Sequence, residues 1–285
     1  MLIAQISDFH VPSKNKLVFG LVDSRILAER AIAAVLRLSP LPDVVLVTGD
    51  IADGPDPEIY AFVADALKCL PMPVFLIPGN HDSRSAMSAR FTEIPTIEEE
   101  RFIAYPVEDY PVRLIGLDST VEGKHTAEFC ERRALWLDRT LAARSDTPTL
   151  LFVHHPPIES GVVAMDFLGF DWTHHFERVV GKHPQVVRVT CGHHHRAMTA
   201  SWAGTIVTVA PSTSHQFPSR FGKDVLPGFA VEAPGMLLHH WNGQNLVTHT
   251  VPIDPVPTHD FFIGRPDLWQ TTMEELRNGT AHPDV

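Results

Sequence analysis

Five short apolar runs along the chain each end in polar residues that can bind a metal ion. They occupy residues 2–6, 44–47, 74–77, 150–153 and 186–190. Runs of this length, rich in Val, Ile and Leu, are typical of strands buried on both faces. Apolar residues at helical spacing separate the first three runs, for example Leu27, Ala31 and Val35. The order strand, helix, strand, helix, strand predicts a parallel sheet with right-handed crossovers.

The pattern changes after residue 197, where the chain becomes typical of antiparallel strands. Strands are predicted at residues 198–202, 205–210, 228–232, 236–241 and 244–251. An Asn-Gly turn joins the last two. These strands form a second sheet on the first, a small cap or part of a subunit interface. We therefore divide the chain into a core (1–197), an antiparallel β cap or interface segment (198–253) and a C-terminal tail that packs back on the core (254–285).

Composition and charge narrow the class of protein. The chain has 285 residues, of which 44% are hydrophobic and 20% are charged, as in ordinary globular proteins. Its formal net charge of −11 argues against stable binding to nucleic acid or to an anionic membrane. The three Cys residues have neither disulfide nor zinc-knuckle spacing. Because we find no secretory signal and no apolar run of about 18 residues, we expect a cytoplasmic protein.

Two pairs of polar residues follow the first and the last of the five runs. Asp8 and His10 stand two positions apart, and His193 and His195 repeat that spacing. On an extended strand end, residues two apart face the same way. Each pair is therefore expected to offer both of its side chains to one ion.

The three middle runs complete the set of candidate ligands. Asn80 offers a neutral oxygen, His154 offers a nitrogen, and the two carboxylate oxygens of Asp50 can bridge two ions. Seven ligands with nitrogen and oxygen donors and no thiolate suit Fe, Mn, Zn or Co. Two such ions about 3.5–4 Å apart can hold a hydroxide between them and bind a phosphate at the same time.

The order of these motifs resembles the calcineurin-like metallophosphoesterase superfamily. The motifs are Asp-x-His at 8–10, Gly-Asp at 49–50, Gly-Asn-His-Asp at 79–82, His154, and Gly-His-x-His at 192–195. The opening Ala-Gln-Ile-Ser-Asp-Phe-His, Asn-His-Asp and His-His-Pro-Pro are similar to the bacterial class III cyclic-nucleotide phosphodiesterases. Within that group, Phe-Gly-Leu-Val-Asp at 19–23 and the segment 76–82 look like the glycerophosphodiester phosphodiesterases.

The resemblance implies an α/β fold, a two-sheet α/β/β/α sandwich with a small C-terminal β-rich cap or dimerisation segment. Residues 1–197 would be its binuclear-metal phosphoesterase core, holding two divalent or trivalent metal ions (Fe, Mn, Zn or Co). The implied ligands are Asp8, His10, Asp50 and His195 for one ion, and Asp50, Asn80, His154 and His193 for the other. Spacing alone does not decide between His154 and His155, and we follow the family in choosing the first.

The resemblance also implies catalytic and substrate-binding residues. His81 would bind the phosphate or donate a proton to the leaving oxygen, a role that suits imidazole near neutral pH. Asp50 and His81 are thus the predicted catalytic residues, and Asn80, His81 and His215 are the predicted substrate contacts. For His215, a position in a surface loop is the competing interpretation.

We therefore expect a binuclear metal-dependent phosphodiesterase in which a hydroxide bridging the metals attacks a small phosphodiester. Candidate substrates are glycerophosphodiesters and 3′,5′- or 2′,3′-cyclic nucleotides, and we expect a homo-oligomer that does not bind a membrane. The alternatives are a phosphomonoesterase or nuclease of the same superfamily, and a catalytically silent scaffold that binds phospho-ligands. The net negative charge of the chain argues against a nuclease. The complete set of candidate metal ligands argues against a catalytically silent scaffold.

Overall fold

The computed structural model of the chain describes residues 1–97, 102–222, 226–259, 265 and 267–279. The strands within these residues are β1 Leu2–Ile6, β2 Val44–Thr48, β3 Val74–Ile77, β4 Tyr105–Val107, β5 Arg113–Leu117, β6 Thr120–Val121, β7 Lys124–Ala127, β8 Thr149–Val153, β9 Val186–Cys191, β10 Met198–Trp202, β11 Thr205–Val209, β12 Gly235–Trp241 and β13 Leu246–Pro252. The helices are α1 Ser24–Leu36, α2 Pro57–Leu67, α3 Arg84–Arg90, α4 Glu131–Ala142, α5 Val163–Asp166, α6 Thr173–Val180 and α7 Asp267–Arg277. The strands form two large sheets and one small hairpin.

The first sheet has the strand order β13-β12-β1-β2-β3. Its strands β1, β2 and β3 are parallel, and α1 and α2 connect them in sequence. Asp23 and Asp56 are the N-cap residues of these helices, and their carboxylates accept hydrogen bonds from backbone N–H groups of the first turn. The parallel arrangement predicted from the apolar runs is confirmed.

The second sheet has the order β10-β11-β9-β8-β5-β4, with β5, β8, β9 and β11 parallel to one another. Alternate residues of β8 face opposite sides of this sheet. Leu150 and Phe152 pack with residues of the first sheet, whereas Leu151 and Val153 pack with α4 and α6. The two sheets therefore lie face to face with helices outside, which confirms the predicted α/β/β/α sandwich.

The strands after residue 197 are divided between the two sheets. The hairpin β10-β11 extends the second sheet beside β9, and β12-β13 extends the first sheet beside β1. The strand predicted at 228–232 is wrong, because this segment pairs only through Gln216 and Ala230, at one isolated bridge. A role of residues 198–253 in a subunit interface stays a prediction.

Residues Met1–Asp254 form one compact unit, and Pro255–Val285 form a second. In the second unit α7 has an amphipathic sequence. The predicted packing of residues 254–285 on the core stays a prediction, and residues 260–264, 266 and 280–285 lie outside the described part of the chain. No helix among the described residues is long and apolar enough to cross a membrane.

Candidate metal centre

The carboxyl ends of β1, β2 and β9 bring four predicted ligands together. His10 Nε2 lies 3.0 Å from His195 Nε2 and 3.5 Å from Asp50 Oδ2. Asp8 Oδ1 lies 3.5 Å from His195 Nε2. One donor atom from each of these four buried residues lies within 4.8 Å of the others. The parallel sheet topology explains this convergence, because strands that run in the same direction end at the same edge.

A second group of donors lies on the other side of Asp50. His154 Nε2 lies 3.3 Å from Asp50 Oδ2 and 3.1 Å from Asn80 Oδ1. The rings of His154 and His193 are 5.2 Å apart. The same carboxylate oxygen of Asp50 thus faces both His10 and His154, and joins the two groups of donors.

The backbone reaches this geometry differently from the extended strand end expected from the sequence. Asp8, His10, Asp50, His193 and His195 all adopt positive φ angles, between 45° and 69°. Side chains two residues apart therefore meet because the backbone turns into the left-handed region, not because a pleated strand alternates. Such conformations cost about 1–3 kcal/mol each for residues with a Cβ. Their concentration at one place is typical of a functional site.

Glycines at the strand ends allow the close approach of these segments. A Cβ atom on Gly79 would lie 2.2 Å from both the backbone nitrogen and the Oδ1 atom of Asp50. A Cβ atom on Gly192 would lie 2.2 Å from Ser7 Oγ and 2.8 Å from Asp8 Oδ2. These contacts are far below van der Waals distance, so only glycine fits at either position.

Hydrogen bonds to the backbone orient the candidate ligands. His154 Nδ1 donates to the carbonyl oxygen of Thr48 at 2.8 Å, and His195 Nδ1 donates to that of His215 at 2.8 Å. In both rings Nε2 is the atom that faces the cluster. Outer hydrogen bonds of this kind fix the tautomer of metal-binding histidines.

The burial and the protonation states of the candidate ligands are compatible with a cation bound between them. Asp8 Oδ2 is buried without a hydrogen-bond partner, which is costly for a carboxylate oxygen. Burial lowers the pKa of His10 and of His193 well below the usual value, so both rings are neutral, the form that binds metals. Burial opposes ionisation of Asp50 as well, but His154 and His10 hold its pKa well below the usual range. Burial opposes protonation of His154, but the charge of Asp50 and the hydrogen bond to it raise the pKa of His154 to about 9. A cation that displaces this proton would find a donor set of imidazole nitrogens and carboxylate oxygens, which suits metal ions.

A sequence model of the calcineurin-like phosphoesterases matches residues 1–197. The chain belongs to this family. A probable glycerophosphodiester phosphodiesterase, GpdQ of Arcobacter nitrofigilis, is 38% identical over 252 residues, which cover 88% of this chain and 92% of the relative. The 3′,5′-cyclic adenosine monophosphate phosphodiesterase CpdA of Escherichia coli K12 is 30% identical and covers 80% of this chain and 82% of its own length.

A solved member of similar fold is a dimetal phosphatase from Danio rerio, with a TM-score of 0.60 and 15% identity. It covers 89% of this chain and 99% of its own length. At this level of identity the similarity concerns the fold alone. It agrees with the two-sheet sandwich described above for this calcineurin-like phosphoesterase.

In this phosphoesterase His155 is bound within the protein on both sides of its ring. Its Nδ1 lies 2.8 Å from Ser119 Oγ, and its Nε2 lies 3.3 Å from the carbonyl oxygen of His125. His154 has only its Nδ1 bound to the backbone. This difference favours His154 over His155 as a ligand, a choice that spacing had left open.

His215 is buried, and the alternative of a surface loop position is wrong. Its side chain is 2% exposed, and its ring lies 4.5 Å from that of His195 and 5.1 Å from that of His10. Phe19 and Phe217 pack against its other sides, which excludes water. Burial, and then the neighbouring His195, lower the pKa of His215 to about 3, so it is neutral.

His81 lies beside the centre and is held by two carboxylates. Its backbone N–H donates to Asp50 Oδ1 at 2.8 Å, and its Nδ1 lies 3.1 Å from Asp53 Oδ1. Burial opposes protonation of His81, but the hydrogen bond to Asp53 and the charge of Asp50 raise its pKa above the usual value. The sequence analysis gave Asp53 no functional role, although it stands only three residues after Asp50, a predicted metal ligand.

The sequence also gave no role to His125, which lies on β7. Its Nδ1 accepts a hydrogen bond from Asn80 Nδ2 at 2.9 Å, and its ring lies 4.9 Å from that of His81. The amide of Asn80 is thereby oriented with its oxygen toward His154. No motif marks His125, because it lies on the β6-β7 hairpin and not at the end of a strand that carries a predicted ligand.

A cavity of about 400 Å³ lies over the centre. Its polar floor includes His10, Asp50, Asn80 and His81. Its opposite wall is largely apolar and consists of Ala164, Met165, Phe167, Leu168, Phe217 and Pro227. The segment around α5, in the long connection after β8, contributes most of this wall.

Proposed function

We propose that the chain is a metal-dependent phosphodiesterase that hydrolyses small phosphodiesters. The observation that carries this proposal is the shared position of Asp50 Oδ2, 3.5 Å from His10 Nε2 and 3.3 Å from His154 Nε2. A carboxylate shared by two groups of imidazole and oxygen donors is the arrangement that a pair of metal ions requires. Relatives of this chain in the calcineurin-like family are named as glycerophosphodiester and cyclic-nucleotide phosphodiesterases.

Each of the two sets of candidate ligands lies on one side of Asp50. Asp8, His10, Asp50 and His195 would hold one ion, and Asp50, Asn80, His154 and His193 would hold the other. The donors are imidazole nitrogens and oxygens without thiolate, which suits Fe, Mn, Zn or Co. Bound ions would supply Lewis-acid activation of water and neutralise the charge of the phosphate.

The chain's own residues would complete the site. Asp53 holds Nδ1 of His81, which leaves the other ring nitrogen for the phosphate or the leaving oxygen. Protonated imidazole is a good proton donor near neutral pH. Asn80 and His81 line the floor of the cavity, where the phosphate would sit. His215 would act indirectly, by packing its ring against those of His195 and His10.

The cavity favours a phosphodiester that carries no second phosphate group. Its opposite wall is apolar and, among the described residues, neither Lys nor Arg lines it. A second phosphate would therefore find no cationic partner away from the centre. Glycerophosphodiesters and 3′,5′- or 2′,3′-cyclic nucleotides carry a single phosphodiester and meet this requirement.

Metal removal and a substrate panel test the proposal. Protein stripped of metal should lose activity on bis(p-nitrophenyl) phosphate and recover it on addition of Mn, Fe, Zn or Co. The Asn80→Ala variant should need more metal and turn over more slowly, while its far-ultraviolet circular dichroism stays unchanged. Full activity of the stripped protein would refute the mechanism.

The substrate panel separates the remaining alternatives. Glycerophosphodiesters and both classes of cyclic nucleotide should be cleaved faster than phosphomonoesters, and DNA should not be nicked. A preference for monoesters or DNA identifies a phosphomonoesterase or nuclease. Metal binding without hydrolysis of any ester identifies a scaffold. A homo-oligomeric state and a cytoplasmic location stay predictions, and light scattering measures the first.

A further inference from the structure

Arg188 on β9 is a buried cation on the side of the second sheet that faces the first. Its side chain is only 8% exposed. Its Nη2 donates to the carbonyl oxygen of Leu246 on β13 at 2.7 Å, but its Nε is buried without any partner. One backbone carbonyl is a small compensation for a guanidinium group, which has five N–H donors.

The charge of Arg188 is not neutralised by any described residue. In the part of the chain that the structure describes, no Asp or Glu forms an ion pair with it. Burial lowers its pKa, and no neighbouring charge opposes that shift. The nearest titratable group that it influences is His239, whose pKa is lowered to about 3 by burial and then by Arg188, so His239 brings no opposite charge. A buried charge without a partner costs several kcal/mol.

A cavity of about 280 Å³ adjoins this guanidinium group. It lies where β9, β10 and β11 of the second sheet meet β12 and β13 of the first, and no acidic residue is among its described lining residues. Four threonines line it with Arg188: Thr199, Thr208, Thr248 and Thr250.

The hydroxyl groups of this cavity differ in their availability. Those of Thr208 and Thr248 lie within hydrogen-bond distance of Thr190 and His239. Those of Thr199 and Thr250 make no hydrogen bond within the described residues. Two free hydroxyl donors therefore stand beside a cation that has no counter-ion among the described residues.

We propose that this cavity binds a small tetrahedral oxyanion, with a phosphate or sulfate group held by Arg188 and the threonine hydroxyl groups. Charge-assisted hydrogen bonds from a guanidinium to such an oxyanion are among the strongest in proteins. The bound anion neutralises the charge that the fold leaves uncompensated. The site shares no lining residue with the metal centre, so it does not depend on the proposed phosphodiesterase activity.

Anion-dependent unfolding of the metal-loaded protein tests the site. At pH 7.5 and constant ionic strength, replacing chloride with 20 mM phosphate should raise the unfolding midpoint of the wild type by roughly 3 °C if the Kd is near 1 mM. Phosphate also reaches the metal centre, so the informative quantity is the difference between wild type and Arg188→Gln. The variant should lose most of the shift, whereas Arg178→Gln, at an exposed arginine paired with Glu131, should keep it.

The source of the oxyanion is distinguished by the ligand used. Inorganic phosphate represents a free ion, and methylphosphonate represents the phosphoryl group of an organic compound that resists hydrolysis. A larger shift with one of them identifies the preferred source, and a shift with either that depends on Arg188 supports the site. Equal shifts in wild type and Arg188→Gln, or no shift of the wild type when either ligand replaces chloride, would overturn the proposal.

A crystallographic measurement covers the case in which Arg188→Gln does not fold. Crystals of the wild type grown with selenate should show anomalous density within hydrogen-bond distance of the Arg188 guanidinium group. Thr250→Val, at an exposed position, should weaken that density without affecting the fold. Selenate density at the metal centre alone contradicts the proposal.

Discussion

Thr190 on β9 donates a hydrogen bond to Gln5 on β1, from Oγ1 to Oε1 at 2.5 Å, and so links the two sheets through their common core. The amide nitrogen of Gln5 donates to Thr48 Oγ1 and to the carbonyl oxygen of Cys191, both at 2.9 Å. His239 donates to the same Gln5 oxygen at 3.0 Å. All of these groups are buried, and β1, β2 and β9 continue from them directly into the metal centre. The network therefore fixes the relative position of strands that carry candidate ligands.

Replacing Gln5 with Ala should destabilise the protein by about 3 kcal/mol, because several buried polar groups lose their partner and each costs about 1–3 kcal/mol. Urea unfolding followed by tryptophan fluorescence measures this loss. Gln244→Ala, at an exposed turn position, is the matched control and should change stability by less than about 0.5 kcal/mol. Equal stability of the two variants would show that the network does not hold the sheets together.

His239 should make stability depend on pH below neutrality. Burial, and then the charge of Arg188, lower its pKa to about 3, against about 6.5 in an unfolded chain. Because the folded state resists protonation, stability is complete above pH 6.5 and is lost as the pH falls from 6.5 toward 3. At pH 5 the loss from this group is about 2 kcal/mol.

Comparison of His239→Gln with its exposed neighbour tests this assignment. Free energies of unfolding measured between pH 7.5 and pH 5 should fall less steeply for His239→Gln than for wild type. His240→Gln should retain the wild-type slope, since His240 is exposed. Other buried histidines contribute equally to all three proteins, so parallel curves for wild type and His239→Gln would refute the role of His239.

Much of the fold and of the candidate site could be predicted because both follow from local pattern. Runs such as 44–47 are apolar throughout, which identifies buried parallel strands, and their carboxyl ends must share an edge of the sheet. Asp50 and Asn80 therefore meet in space although 30 residues separate them. Four of the five strands predicted after residue 197 are present, and only the one at 228–232 is not.

Other features depend on contacts between distant segments and leave little trace in the sequence. Whether β12 joins the first sheet depends on its pairing with β1, more than 200 residues away. The burial of His215 depends on packing by Phe19 and Phe217, so a surface loop was an equally reasonable interpretation. The roles of Asp53 and His125 depend on contacts with His81 and Asn80, which lie 28 and 45 residues away in sequence.

His125→Ala should weaken the second metal position about tenfold, because outer hydrogen bonds of this kind typically contribute 10–100-fold to metal affinity. Without His125 Nδ1, the amide of Asn80 loses the acceptor that orients its oxygen toward His154. Titration of activity with metal should give a higher half-saturating concentration and a nearly unchanged maximum. Lys124→Ala, at the neighbouring exposed position, is the control, and a curve for His125→Ala that matches it would refute the positioning role.

Asp53→Asn should slow hydrolysis selectively for substrates with poor leaving groups. Asp53 Oδ1 lies 3.1 Å from Nδ1 of His81 and favours the protonated ring, which in the proposed mechanism would donate to the leaving oxygen. An alkoxide leaving group needs that proton, whereas p-nitrophenolate leaves without it. The kcat for a glycerophosphodiester should fall about 100-fold. The kcat for bis(p-nitrophenyl) phosphate should change by less than about threefold, because proton donation contributes little to that reaction.

A double variant separates this role from a structural one. If Asp53 acts through His81, then Asp53→Asn combined with His81→Gln should be no slower than His81→Gln alone, because residues that act as a unit are not additive. Circular dichroism and metal content should be the same in all three proteins. Equal losses on both substrates, or additive losses in the double variant, would assign Asp53 to the stability of its loop instead of to proton donation by His81.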